Sequence, residues 1–293
     1  MNKLAVCLLG FGEVGQVLAP ELRTRTAKLT AWDLKFPESG NAPAHAARQL
    51  GVLAAADART AVAGAELVIS AVTAAQTVAA ARSVASHLHS GAYYFDLNSC
   101  SPTAKVEASE FIEAAGAKYV EAAIMSPIAP RNAASPMLLG GPHASGFLAL
   151  ARELGFAGVE LFSGKLGAAS AAKMCRSVIV KGLEALMLES LLTARAFGVE
   201  RAVLDSLQSL ELGDWHAQSR YMISRALIHG RRRAEEMREA ANTVVSAGFA
   251  SSMSQACAQW QDWASDRATA ASHRDLERLL DALVATVDRE AAA

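Results

Sequence analysis

Leu4-Ala5-Val6-Cys7-Leu8-Leu9-Gly10-Phe11-Gly12-Glu13-Val14-Gly15-Gln16-Val17-Leu18-Ala19 opens the chain with an apolar run, a glycine-punctuated turn and a second apolar pattern. The run Leu4 to Leu9 has the length and continuity of a buried parallel strand, and the residues from Val14 onward have the pattern of a starting helix. In a strand–turn–helix the three glycines meet different demands. Gly10 makes the tight turn, Gly12 lets backbone approach a pyrophosphate, and Gly15 lets helix and strand pack closely. The helix start adds unpaired N–H groups and a partial positive charge. A Gly-x-Gly-x-x-Gly by itself is a weak signal, since an ordinary tight turn carries it too. Here it has the flanking strand and helix, and an acid, Asp33, at the expected distance downstream. Gly10, Phe11, Gly12, Glu13, Val14 and Gly15 are therefore the expected dinucleotide contacts.

Lys28 to Asp33 is expected as a second strand ending in that acid. A carboxylate there accepts from both adenosine ribose hydroxyls and repels a 2′-phosphate, which favours NAD. Lys35, two residues on, keeps NADP possible. The stretch Phe36 to Ala44, with two prolines and a glycine, is expected as a loop before a short helix at His45–Leu50. Further strands are expected at Val52–Leu53, Glu66–Val72, Ala92–Asp96, Lys118–Met125, Pro136–Leu139 and Val159–Phe162. Helices are expected around Thr60–Val62 and over Thr77–His89, Val106–Ala115 and Ala144–Leu154. That alternation predicts an α/β domain with a doubly wound, mainly parallel sheet of the Rossmann kind. Ala71, Val72 and Thr73 would then lie along the cofactor at the carboxyl edge. Asn98, Ser99 and Ser101, small polar residues between a strand and a proline-opened helix, suit contacts to nicotinamide or substrate. Ser99 and Ser101 suit helix caps equally well.

Ser163-Gly164-Lys165-Leu166-Gly167 ends the alternation, and the division expected is residues 1–164 and 165–293. The second part reads as all helix: Ala168–Phe197 stopped by Gly198, Glu200–Leu210, Trp215–His229, Arg231–Ala247, Met253–Ala264 and Leu276–Val287. Lys173 sits early in the first of these among small alanines. There the dipole's positive end and any burial favour the neutral amine, a form that can take a hydroxyl proton.

Composition narrows the classes. A formal charge of −1 and a near-neutral pI give no electrostatic case for nucleic acid or an anionic membrane. No apolar run approaches the ~18 residues of a membrane span. The four cysteines have neither disulfide nor metal-ligand spacing, so no metal is expected. The immediate entry into a strand leaves no signal-peptide pattern, which predicts a cytoplasmic protein.

The glycine turn, together with Leu166-Gly167-Ala168-Ala169-Ser170-Ala171-Ala172-Lys173, resembles the β-hydroxyacid dehydrogenase superfamily of 3-hydroxyisobutyrate and 6-phosphogluconate dehydrogenases. Asp96-Leu97-Asn98-Ser99 is similar to that group's Asp-led turn by the nicotinamide. The resemblance implies a Rossmann domain followed by an all-α dimerisation domain, hydride exchange with a hydroxyacid-like substrate, and Lys173 as the catalytic lysine between the two domains. The group's asparagine four residues after its lysine is Ser177 here, and its Ser-Gly-Gly loop is Met125-Ser126-Pro127. Ser126, Asn98 and Ser177 are then the candidates for orienting a substrate's carboxylate or hydroxyl. The second half is similar to a sparsely characterised branch carrying the 6-phosphogluconate dehydrogenase label, on Lys173–Ser177, Lys181–Leu186 and His229–Met237.

The Arg231-Arg232-Arg233 run is most simply an exposed face balanced by Glu235, Glu236 and Glu239 at helical spacing. Arg233, or Arg232, is also a candidate fork for a substrate oxyanion. Trp215, Trp260 and Trp263 read as core or as the interface of an expected homodimer. Two alternatives share the fold: an imine reductase acting on a C=N bond, and a dinucleotide-binding sensor without turnover.

Overall fold

A computed structural model describes residues 3–38, 40, 42–207, 215–246 and 248–291. The chain divides into two compact units, Met1–Val178 and Ile179–Ala293.

The first unit alternates strand and helix. Its order is β1 (Ala5–Leu9), α1 (Glu13–Arg25), β2 (Lys28–Trp32), α2 (Ala42–Gln49), β3 (Leu53–Ala54), α3 (Ala58–Val62), β4 (Leu67–Ser70), α4 (Thr77–Ala85), β5 (Tyr93–Asp96), α5 (Pro102–Ala114), β6 (Lys118–Ile124), β7 (Met137–Gly140), α6 (Ala144–Glu153), β8 (Val159–Ser163) and the start of α7 (Ala168–Ala196). The sheet runs β3-β2-β1-β4-β5-β6-β7-β8. Strand order reverses between β1 and β4, and in open sheets of this kind ligands bind in the crevice outside the carboxyl ends at such a point.

Alternation along the strands gives each face its own core. On one face Leu8, Phe95, Phe147 and Phe156 pack with Leu18 and Leu22 of α1. On the other, Leu9, Val68, Tyr94 and Tyr119 pack with Val84 of α4 and Ile112 of α5. With helices on both faces, the parallel strands are near-continuously apolar, as their sequence indicated.

The structure departs from the sequence expectations at identifiable places. β7 runs antiparallel to β6, because the segment joining them holds only a short 3-10 turn at Asn132–Ala134 and a parallel return needs a longer crossover. The helix α2 begins at Ala42 rather than His45, since Pro43 falls in the first turn, where its missing N–H costs nothing. The helix α4 stops at Ala85, short of His89. There His87 and Leu88 donate to Val84 and Ala85 in three-residue turns, and Gly91, at φ +83°, turns the chain toward β5. The division of units falls inside α7 rather than before it, because the start of that helix, with Ala169 and Ser170 buried, packs into the first unit.

In the second unit α7 ends as Gly198 adopts φ +69° and Val199 N–H reaches back to the Ala194 carbonyl, a Schellman closure. The helices α8 (Glu200–Leu207), α9 (Trp215–Ser246), α10 (Ser252–Ser265) and α11 (Leu276–Ala291) follow. The expected helix ends at Leu210 and Ala247 lie outside the described residues. Where two helices were expected around Gly230, α9 is continuous. Gly230 serves helix contact instead: a Cβ there would lie 2.2 Å from the Gln261 carbonyl oxygen of α10. Leu227, Ala264, Leu279 and Leu283 form a small core.

Arg231 pairs across to Asp262 of α10 (3.4 Å) and to Asp266 at its C-cap (2.7 Å). Arg238 joins the same Asp262. Trp260 is 67% exposed, so it is not core within the chain. It meets Trp263 edge-on, and the Arg267 guanidinium lies over the Trp263 ring. No helix among the described residues is long and apolar enough to cross a membrane.

Candidate active site

The turn after β1 is built by exclusion. Gly10 has φ +95°, and a Cβ on it would lie 2.5 Å from the Ala71 carbonyl oxygen. A Cβ on Gly15 would lie 2.4 Å from the Gly10 carbonyl oxygen. No larger residue fits at either position. Gly12 is different: nothing lies within 4 Å of where its Cβ would be. Protein packing does not demand a glycine there, whereas a ligand lying against the backbone does. The helix α1 has no side-chain cap, so its first N–H groups stay available to an anion. The residues present therefore fit a dinucleotide pyrophosphate.

Asp33 follows β2 and is braced from two sides. Its Oδ2 accepts the Phe11 N–H at 2.8 Å and its Oδ1 accepts the Lys35 N–H at 2.9 Å. Each oxygen keeps a second lone pair for a ribose hydroxyl. Asp33 and Lys35 line a cleft of about 290 Å³ together with Gly10, Gly12, Trp32, Leu34, Val72 and Thr73. Apolar walls with few polar groups suit an adenosine. Ala71 and Val72 reach this cleft, but their N–H groups are already used, by the Leu9 carbonyl and by Asn98 Oδ1.

The ends of β5 and β6 are organised by buried charge. Asp96 and Lys105 are fully buried and pair at 2.8 Å. Lys105 lies on the inward stripe of α5 with Ala108, Ser109 and Ile112, and it also donates to the Asp96 carbonyl at 3.0 Å. The other Asp96 oxygen accepts the Tyr119 hydroxyl. Burial first, then the Asp96 charge, holds the Tyr119 phenol well above its usual pKa, so it stays a donor. Asp96 Oδ1 also accepts the Asn98 N–H at 2.8 Å. Asn98 bridges onward, accepting from Val72 N–H at 2.7 Å and donating to Ser70 Oγ at 3.0 Å. These bonds fix the turn that carries Ser99.

Ser99 Oγ accepts a hydrogen bond from Lys173 Nζ at 2.5 Å. Ser101 is the cap of α5, accepting the Ala104 N–H, which resolves the two serines into different jobs. Lys173 lies in the second turn of α7. Directly beside Asp96 on the next strand is Glu121, buried, accepting from Gly167 N–H at 2.6 Å, Ala169 N–H at 2.7 Å and Ser170 N–H at 3.1 Å. The positive end of that helix dipole therefore meets a carboxylate.

The other expected residues divide clearly. Ser126 follows β6 at the same carboxyl edge, with its hydroxyl donating to the Pro127 carbonyl. Ser177 lies one turn beyond Lys173, in the same unit. Asn98 is 3% exposed and serves the wall of the site, with almost no surface left for a substrate. Arg233 belongs to the second unit, on α9, half-buried. Cys100 is buried, and desolvation raises its thiol pKa, in keeping with a passive role. No group of three or more potential metal ligands occurs among the described residues.

Sequence reasoning passed over Lys105, Tyr119 and Glu121. A single acid inside Val120-Glu121-Ala122-Ala123-Ile124 was the available signal, because an unpaired carboxylate is not tolerated in a buried strand.

Residues 5–147 match the NAD binding domain of 6-phosphogluconate dehydrogenase, and residues 194–264 match a domain of unknown function, DUF1932. A conserved hypothetical protein from Sinorhizobium meliloti 1021 is 34% identical, with 96% of each chain covered and a TM-score of 0.59. A conserved protein of unknown function, described as structurally similar to 3-hydroxyacid dehydrogenases, is 31% identical over 92% of this chain and 100% of its own, with a TM-score of 0.58. An imine reductase from Pseudomonas sp. is 18% identical, with 96% of this chain and 100% of its own covered and a TM-score of 0.70, a likeness of fold.

Proposed function

The chain belongs to the β-hydroxyacid dehydrogenase superfamily, and from that premise we propose that it transfers a hydride between a nicotinamide dinucleotide and a hydroxyacid-like substrate, a β-hydroxy or sugar acid. The observation that carries the reading is the Lys173–Ser99 contact at the carboxyl edge of the sheet that bears the glycine turn. Gly10 to Gly15, Asp33 and Thr73 would hold the dinucleotide, with NAD favoured over NADP by the Asp33 carboxylate. When bound, that cofactor supplies the hydride acceptor or donor.

The chain's own part is the proton. In the oxidative direction the neutral Lys173 amine takes the proton of the substrate hydroxyl as the carbonyl forms. In the reverse direction its ammonium returns it. Ser99 Oγ, bonded to Nζ, keeps the amine at the edge. Ser126 and Ser177, in the same unit, would orient the substrate.

A homodimer is part of the proposal, supported by the exposed Trp260 and Val284 of the helical unit; light scattering would test it. A reducing, cytoplasmic setting is supported by the free thiols of Cys7, Cys100 and Cys175.

The test pairs binding with turnover. NAD(H) and NADP(H) affinities are measured by titration, and the nicotinamide absorbance is then followed with β-hydroxyacids, sugar acids and cyclic imines. Turnover of an acid that disappears in Lys173→Ala supports the reading. Turnover of cyclic imines alone moves the chemistry to C=N reduction. Tight binding with no turnover leaves a sensor.

A further inference from the structure

Asp96 and Glu121 are register partners on β5 and β6, and both are fully buried. Each is spent on backbone or buried donors rather than on a ligand. Asp96 takes Lys105 Nζ, Tyr119 OH and Asn98 N–H, which pins the turn bearing Ser99. Glu121 takes three N–H groups of the segment Gly167–Ser170, which pins the helix start bearing Lys173. A buried carboxylate costs stability unless its partners are complete, so each one locks its own segment in place. The slot for Glu121 is equally specific. Gly140, its partner on β7, would with a Cβ stand 2.6 Å from Oε1 and 2.8 Å from Cγ.

We propose that Asp96 and Glu121 act together as positioning residues, one for Ser99 and the other for Lys173, and that they set the Nζ–Oγ contact before any ligand arrives. The consequence is preorganisation: the amine is held where a reacting hydroxyl must come, through the segments that carry it and its partner. The significance of that position rests on the proposed reaction; the positioning itself does not.

The test reads Lys173 without turnover. The protein is treated with a limiting amine-reactive acylating reagent at fixed pH, and modification of Lys173 is timed by peptide mass spectrometry. Ser99→Ala gives the reference for a loosened amine, expected to react about threefold faster, the scale of one lost hydrogen bond. Glu121→Gln removes the charge at nearly constant volume, and Gly140→Ala displaces the carboxylate without altering it. Both are expected to raise the Lys173 rate toward that of Ser99→Ala. Combining Glu121→Gln with Ser99→Ala is expected to add nothing further, as for groups acting on one contact. Ser135→Ala, which removes a buried hydrogen bond to the Ile128 carbonyl in the same unit, controls for general loosening and should leave the rate unchanged.

A wild-type Lys173 rate in both Glu121→Gln and Gly140→Ala would overturn the proposal, as would fully additive effects or an equal response in Ser135→Ala. If Glu121→Gln does not fold, Gly140→Ala and Tyr119→Phe carry the test. Turnover that survives in Lys173→Ala would sink the reaction while leaving this measurement intact.

Discussion

The two ends of the crevice are made in opposite ways. At the end formed by β1, β2 and β4, the work is done by absence: glycines without side chains, an uncapped helix, and one acid braced on backbone N–H groups. At the end formed by β5, β6 and the start of α7, it is done by presence. Two buried carboxylates, a buried lysine and a buried tyrosine fix a serine and a lysine against each other. The first end should tolerate many nearby changes and fail only when space is filled. The second should fail whenever one partner is removed, because the other is left as an uncompensated charge.

The sharpest break with that contrast would come from the lysine itself. Lys173→Ala is expected to cut turnover by about 10²–10⁴-fold, the range of a general acid–base group, with dinucleotide affinity unchanged by titration. A Kd that rose as turnover fell would mean the two ends are not separable.

Next is Lys105→Met, which strands Asp96 in the interior. Urea unfolding should register a loss of about 3–5 kcal/mol. A loss under about 1 kcal/mol, the worth of an exposed pair, would refute the buried-charge description.

The glycines test the other end. Gly10→Ala must abandon φ +95° and move the Ala71 carbonyl, at about 1–3 kcal/mol of stability. Gly12→Ala meets no protein atom, so its unfolding midpoint should stay at wild type while dinucleotide affinity falls about tenfold, or 1.4 kcal/mol. Equal effects of the two on stability would remove the argument that Gly12 faces a ligand.

The smallest effect is Asp33→Asn. The amide keeps one acceptor for the turn and loses the charge, so the ratio of NAD to NADP affinity should drop by about fivefold, less than 1.4 kcal/mol. No change in that ratio would detach Asp33 from the ribose.

What the sequence made legible follows the same contrast. Gly10, Gly12, Gly15 and Asp33 lie within two consecutive strand ends, so spacing alone brought them together. Lys173 stands out through the resemblance of its Leu166–Lys173 segment to the superfamily's glycine-to-lysine segment. Lys105 comes from α5 and Tyr119 and Glu121 from β6, and each looks ordinary by itself. Lys105 looks like a solvated helix lysine until α5 is known to turn it inward, and Glu121 has meaning only once Gly167 to Ser170 arrive from far along the chain. Asn98 reads as a ligand contact from its place before a proline-opened helix, but its amide is absorbed by Ser70 and Val72, which lie 28 and 26 residues away. Gly230 misled for the converse reason. A glycine reads locally as a helix break, whereas its use here is the close approach of α10.

The most direct measurement is a crystal structure of the protein with bound NAD. The account predicts the pyrophosphate against the Gly10–Gly15 backbone, with Gly12 in contact, and the nicotinamide ring at the Ser99–Lys173 pair. A dinucleotide lying elsewhere, or one bound at the glycine turn with its nicotinamide directed away from Lys173, would contradict it.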